Sequence, residues 1–314
     1  MVRDQFLEVA GPAQGKVEVD PQGLYMSRLA TLPRGDGGLR AELGLAPNAR
    51  LIINVGYADL RKGIDRFIAT AIAVCAQRPN VYFFWVGAPA PETQWHLPDV
   101  AQAGLAGRIR LIGHVEDVSR WYAASDLVFL TSREDPFPSV VMEALAVGLP
   151  VVGYQGTGGC DALIARHGRL VNAANPMAAI RAIGELLNLA PAIAEAGALA
   201  RREEIRRDFQ FDSYCFRLLQ RLDPTVPSVS VVLPNYNYER YLALRLGSIF
   251  GQSLPVLEVI VLDDASPDGS VAEIGRICAR EGRDIRLEVN AVNTGSPFPQ
   301  WRKGLRLARG EYVW

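Results

Sequence analysis

From about residue 50 onward, short wholly apolar runs alternate with stretches in which apolar positions recur every three or four residues. Residues 51–55, Leu-Ile-Ile-Asn-Val, read as a buried strand closed by Gly56, and a helical stretch over 63–77 follows. Residues 81–86 make a second strand ended by Gly87, and 109–112, 127–130 and 150–152 continue the series with helical segments between them. Strands without polar alternation have no solvated face, and intervening helices set successive strands parallel. The pattern predicts a Rossmann-like α/β domain, a parallel sheet covered on both faces. A long helical region over 176–222 completes a first domain spanning 1–222, and the two prolines of 223–228 mark a linker. Strand-helix alternation then restarts, with strands at 229–233, 257–262, 286–289 and 312–314 and a helix over 238–250. This second domain, 229–314, reads as an α/β domain that is only half built, its last strand starting at Tyr312.

Composition adds little beyond two ordinary cores: 314 residues, 49% hydrophobic and 21% charged. A net charge of -1 supplies no broad basic field for nucleic acid or an anionic membrane. The pairs Arg201-Arg202 and Arg206-Arg207 are interrupted by Glu203 and Glu204, the pattern of a solvated helix face. Cys75, Cys160, Cys215 and Cys278 lie far apart without a CxxC pair, which fits a reducing compartment better than a zinc site or a disulfide framework. The first residues lack the basic-then-apolar layout of a signal peptide, and no apolar run approaches the roughly 18 residues of a membrane span. The expected location is the cytoplasm, or the inner face of a membrane through partners or further segments.

Candidate chemistry in the first domain centres on Asp135-Pro136-Phe137-Pro138-Ser139-Val140-Val141-Met142-Glu143. Pro138 suits the first turn of a helix, where its missing N–H has no partner to lose. The helix that follows is apolar almost all round, and Glu143 is its one charge. Glu143 is therefore either the one wet stripe of a buried helix or a carboxylate that holds a polar ligand. Spacing alone favours the first alternative modestly.

The stretch 132–138, continuing through Glu143-Ala144-Leu145-Ala146-Val147-Gly148-Leu149-Pro150, resembles glycosyltransferase family 4, whose GT-B enzymes use nucleotide-sugar donors and retain anomeric configuration. The family signature of two acids with seven residues between them falls on Asp135 and Glu143, with Asp at the first position where Glu is usual. The resemblance implies that Glu143 holds the ribose and Asp135 contacts the donor sugar. Pro21-Gln22-Gly23-Leu24 is similar to the family's crossing between domains, and the loop from Gly56 through Arg61, Lys62 and Gly63 to its diphosphate loop. Lys62 then neutralises the phosphates; Tyr57 stands where the family places Arg, with Arg61 as the substitute. Gly113-His114-Val115 matches the region that holds the base, Val115 acting through its backbone, and Phe137, Pro138 and Ser139 line the donor. Only some 20 residues precede Pro21, too few for the family's acceptor domain.

In the second domain two polar loops follow strand ends: Pro234-Asn235-Tyr236-Asn237 and Asp263-Asp264-Ala265-Ser266-Pro267-Asp268-Gly269. Ser266 and Pro267 read as the cap and first residue of the next helix. The aspartates either cap the turn or accept hydrogen bonds from a nucleotide. A calcium loop is excluded, because Gly275 stands at the twelfth position and a strand precedes the loop. With Asn293-Thr294-Gly295 and 308–313, these loops resemble glycosyltransferase family 2, inverting GT-A enzymes. That resemblance implies nucleotide contacts by Pro234, Tyr236, Asp263 and Asp264, with Arg302 or Lys303 near the diphosphate or on the helix surface. The family's Asp-x-Asp motif for Mn²⁺ or Mg²⁺ is expected after Trp314 and is absent from the chain; no cofactor or metal is expected in the first domain.

The fold expectation is half of a GT-B fold followed by a truncated GT-A-like domain. The functional expectation is a glycosyltransferase fragment binding a UDP- or GDP-sugar for polysaccharide or glycan synthesis, with little transfer activity of its own. A glycan or lipid-linked acceptor belongs to the intact parent. The alternative is a non-catalytic nucleotide-binding or scaffolding module. A nicotinamide dehydrogenase fits poorly, because Gly56-Tyr57-Ala58-Asp59 is no GxGxxG turn.

Overall fold

The computed structural model describes residues 38–314 apart from 92, 94–96, 253 and 255, together with 19–26 and positions 7, 29, 32 and 35. Two compact units emerge, each with its own sheet: one runs to Asp208 and excludes 21–28, and the other joins Pro21–Arg28 to Phe209–Trp314.

The first sheet contains β1 Arg50–Val55, β2 Val81–Val86, β3 Ile109–Gly113, β4 Leu127–Leu130, β5 Val151–Tyr154 and β6 Arg169–Val171. Their order is β3-β2-β1-β4-β5-β6, and every pairing is parallel. Strand order reverses between β1 and β4, and in such sheets ligands bind beyond the strand carboxyl ends at that reversal. The apolar runs form strands because both faces are buried: Ile52, Phe83, Trp85 and Phe129 share one cluster with Phe67 of the helix Ile64–Gln77. Phe67 meets Phe83 and Trp85 edge-on, with centroids 5.5 and 5.2 Å away, and stacks on Phe129 at 6.1 Å. Aromatic pairs of this kind add about 0.5–1.5 kcal/mol each beyond burial.

The expected long helical region is three helices, Pro176–Leu187, Pro191–Asp208 and Phe211–Leu222. The last, expected to close the first domain, groups with the second unit. Tyr25 stacks edge-on to Phe211 at 5.3 Å, the Leu24 N–H donates to Phe209 O at 2.6 Å, and Arg283 pairs with Asp212. No single helix among the described residues is long and apolar enough to cross a membrane. The consecutive helices Met177–Leu187 and Pro191–Asp208 are apolar enough only together, and they are bent by 103°.

The second sheet is β10-β7-β8-β9, also parallel, from β7 Val229–Asn235, β8 Glu258–Asp263, β9 Arg286–Val289 and β10 Tyr312–Val313. Its core joins Val231, Val259 and Val261 to Leu242, Leu246, Ile274 and Ile277 of the two helices Glu239–Phe250 and Ser270–Glu281.

Candidate functional site

In the first unit, two loops at the strand carboxyl ends are tied together by backbone. The loop after β1 turns at Gly63, whose φ is +78° and whose added Cβ would lie 2.1 Å from the Thr131 carbonyl oxygen. Only glycine permits that approach. Thr131, just past β4, accepts from the buried Asn54 amide at 3.0 Å and donates to Lys62 O at 2.9 Å. The Arg133 N–H donates to Arg61 O at 2.8 Å, and the Arg61 guanidinium donates to Glu134 O at 3.1 Å. This zipper carries Lys62 onto Asp135, and the two form a largely buried ion pair; the Ser132 hydroxyl donates to the same carboxylate at 3.4 Å. Arg61 thus braces the loop through the Glu134 backbone, and it is exposed.

Behind this pair stands the helix Ser139–Val147. Pro138 is its N-cap in extended conformation, one residue outside the helix rather than within the first turn, and no side chain caps the N-terminus. An uncapped N-terminus leaves backbone N–H groups and the positive end of the helix dipole for an anion. The Asp135 carbonyl is buttressed by Gly158, whose added Cβ would fall 1.7 Å from it. Phe137 and Ser139 are half-buried at this end, and Pro138 is buried. Gly56 ends β1 at φ +132°, and Val115 lies two residues beyond β3. All these loops lie at the carboxyl-end side of the parallel sheet.

Glu143, 9% exposed, is not hydrogen-bonded to the Lys62–Asp135 pair; its partner is Tyr122, wholly buried, whose hydroxyl donates to Glu143 Oε2 at 2.7 Å. Burial, then the neighbouring Glu143 charge, pushes the Tyr122 phenol well above its ordinary pKa. Sequence reasoning missed Tyr122. It lies on the short helix Ser119–Ala124, too brief for periodicity to flag.

In the second unit the predicted acids sit at the end of β8, but their acceptor positions are filled from within. Asp263 accepts from Asn235 Nδ2 at 2.7 Å and from the Ser266 hydroxyl and N–H at 2.7 and 2.9 Å. Asp264 accepts from Asn290 and Gln300 amides at 2.7 Å each and from the Thr294 hydroxyl at 2.8 Å. Burial opposes ionisation of Asp264, yet the hydrogen bonds of Thr294, Asn290 and Gln300 outweigh it and hold the carboxyl below its ordinary pKa. Tyr236 is exposed and Pro234 half-buried beside them. Between Asp264 and Ser266, Ala265 adopts φ +59°, a left-handed conformation that costs a residue with a Cβ about 1–2 kcal/mol. Ser266 does not start the next helix: its hydroxyl is engaged by Asp263, and Asp268 accepts from the Ser270 N–H at 3.0 Å ahead of Ser270–Glu281. Lys303 meets Asn290 at 3.2 Å and Glu288 at 3.4 Å, and Arg302 is exposed. Among the described residues no group of three or more His, Cys, Asp or Glu side chains is placed to hold a metal ion.

Comparison with known proteins agrees with both halves. The family model "Glycosyl transferases group 1" matches residues 49–189, and "Glycosyl transferase family 2" matches 230–314. The lipopolysaccharide core biosynthesis mannosyltransferase LpsB of Rhizobium meliloti is 34% identical over 114 residues, 35% of this chain and 32% of that protein. Anabaena HepE, solved with UDP, superposes with a TM-score of 0.62 at 23% identity, covering 71% of this chain and 61% of that one. The C-terminal domain of a group 1 family protein, LpcC, from Francisella tularensis superposes with a TM-score of 0.52 at 18% identity, covering 59% of this chain and 97% of that domain. The chain spans about a third of the length of the first curated relatives it matches. Residues 49–189 carry the pattern of the group 1 glycosyltransferases, and residues 230–314 that of glycosyltransferase family 2.

Proposed function

We propose that the first unit binds a nucleotide-diphospho-sugar donor for glycosyl transfer in polysaccharide or glycan synthesis. The observation that carries this reading is the meeting of Lys62 and Asp135, 73 residues apart, with Asp135 four residues ahead of the first residue of the uncapped helix Ser139–Val147. The Lys62 ammonium and the helix N-terminus together offer the diphosphate a cation and oriented N–H donors in a partly buried place, where such contacts count for more than in water. Asp135 takes a sugar hydroxyl once the phosphates occupy Lys62, and Glu143 accepts from the ribose. In transfer, the same cation and dipole stabilise the charge that develops on the departing diphosphate. UDP is the first base to test, because the Anabaena neighbour was solved with UDP and with UDP-glucose. The second unit supports a weaker reading as a nucleotide site, since Asp263 and Asp264 are engaged internally. A mononucleotide bound there has Tyr236 as its accessible aromatic surface.

Calorimetric titration of UDP, GDP and their sugar conjugates into the purified chain tests the proposal. Glu143→Ala is expected to lower affinity for the preferred nucleotide by about tenfold or more, in line with the loss of a hydrogen bond to a charged group. Binding unchanged in both Glu143→Ala and Lys62→Ala variants, or no nucleotide binding at all, contradicts it.

A further inference from the structure

Glu143 has one hydrogen-bond partner among the described residues, the Tyr122 hydroxyl. The two groups fix each other. A phenol at 0% exposure needs an acceptor, and Glu143 Oε2, 2.7 Å away, is the one it has. A carboxylate at 9% exposure needs donors, and a tyrosine has a single O–H to give. Once Oε2 is engaged, Oε1 has no donor among the described residues, yet it is not among their buried unpartnered atoms, so it faces accessible space. The helix Ser119–Ala124, which carries Tyr122, packs directly on Ser139–Val147, which carries Glu143, so the geometry rests on helix packing rather than on a loop.

We infer that Tyr122 is a positioning residue of the donor site: by donating to Glu143 Oε2 it turns Oε1 toward the vicinal hydroxyls of the ligand's ribose. The inference rests on the reading of Glu143 as the ribose-binding carboxylate and names what aims it. Replacing the phenol by a phenyl ring keeps the volume and the packing of the helix pair but leaves Glu143 free to rotate and short of a donor. The loss therefore falls on the contact with the diol and spares the contacts with the diphosphate.

The test compares UDP with 2′,3′-dideoxyuridine diphosphate on the full chain, parent and Tyr122→Phe, with GDP and its dideoxy counterpart run in the same way. The parent is expected to prefer UDP over the dideoxy compound by about tenfold, and Tyr122→Phe to lower UDP affinity by about five- to tenfold while leaving the dideoxy compound unchanged. A diol preference in the parent that survives Tyr122→Phe overturns this inference and leaves the reading of Glu143 standing. Equal affinity of the parent for both compounds overturns that reading and the inference together. Should Tyr122→Phe fail to fold, fluorotyrosine in place of Tyr122 preserves the side chain and reports on the same contact. Its fluorine resonance is expected to shift with UDP and stay put with the dideoxy compound; an equal response to both, or to neither, overturns the inference.

Discussion

Lys62 and Asp135 neutralise one another, so a diphosphate that takes up the Lys62 ammonium competes with the Asp135 carboxylate for it. Two consequences oppose each other. The pair stabilises the loops 57–63 and 131–135, and it also places a negative charge beside the position proposed for a polyanion. At an effective dielectric near 20, unit charges some 8 Å apart interact by about 2 kcal/mol, so the second effect is large enough to measure. Asp135→Asn is therefore expected to raise affinity for UDP by roughly threefold to tenfold. It should also shrink the advantage of a UDP-sugar over UDP, because the sugar loses its carboxylate partner. Parallel titrations of UDP and UDP-glucose check both signs at once; a fall in UDP affinity on Asp135→Asn means that the carboxylate assists phosphate binding and refutes the competition.

Elements explain how much of this was legible beforehand. The strands at 81–86 and 127–130 declared themselves because both faces of a parallel sheet are buried, which makes the run continuous in the sequence. β6, three residues beginning with an exposed Arg169, has no such run and was not anticipated. Asp135, Glu143 and Lys62 were named as candidates through their motif, whereas Tyr122 and Thr131 were not, since their contacts are with partners 21 and 69 residues away. Nor did local pattern reveal that Asp264 would be satisfied from within: its donors Asn290, Thr294 and Gln300 come from a later segment of chain, whereas Asp263 takes the turn-capping alternative, accepting from Ser266 three residues on. Gly158 is the least conspicuous of these, a glycine in a glycine-rich turn, yet its Cα lies against the backbone that presents Asp135: Asp135 N donates to Thr157 O at 2.8 Å and Gly159 N to Pro136 O at 2.7 Å. A methyl group there has only backbone to displace. Gly158→Ala is expected to cost about 1–3 kcal/mol and to weaken nucleotide binding by displacing Asp135, whereas Gly156→Ala, where an added Cβ meets nothing within 4 Å, acts only through the strain of its φ of +72°. Chemical denaturation and UDP titration of the two variants separate the effects; nucleotide affinity equal to the parent in Gly158→Ala counts against the buttress.

At the scale of the whole chain, two hydrophobic clusters among the described residues share no member, one around Phe67, Phe83, Trp85 and Phe129 and the other around Val231, Leu246, Val261 and Ile274. Each proposed ligand group also lies within a single unit. Cooperative unfolding follows shared burial, so units with separate cores have no reason to melt as one. Gly304 provides a lesion confined to the second unit. It lies on the helix Pro297–Leu307 over the second sheet, and an added Cβ would come 2.2 Å from Val232 Cγ1 and 3.2 Å from Leu262 Cδ1. Alanine gains up to about 1 kcal/mol over glycine in a helix, but overpacking costs about 1–3 kcal/mol, so the clash is expected to win. Calorimetry of Gly304→Ala should show one thermal transition lowered by several degrees and the other unmoved. UDP should still raise the unmoved transition, by mass action on the state it binds. A single transition that falls as a whole, or nucleotide binding lost with Gly304→Ala, would mean that the group 1 site depends on the family 2 segment for its stability.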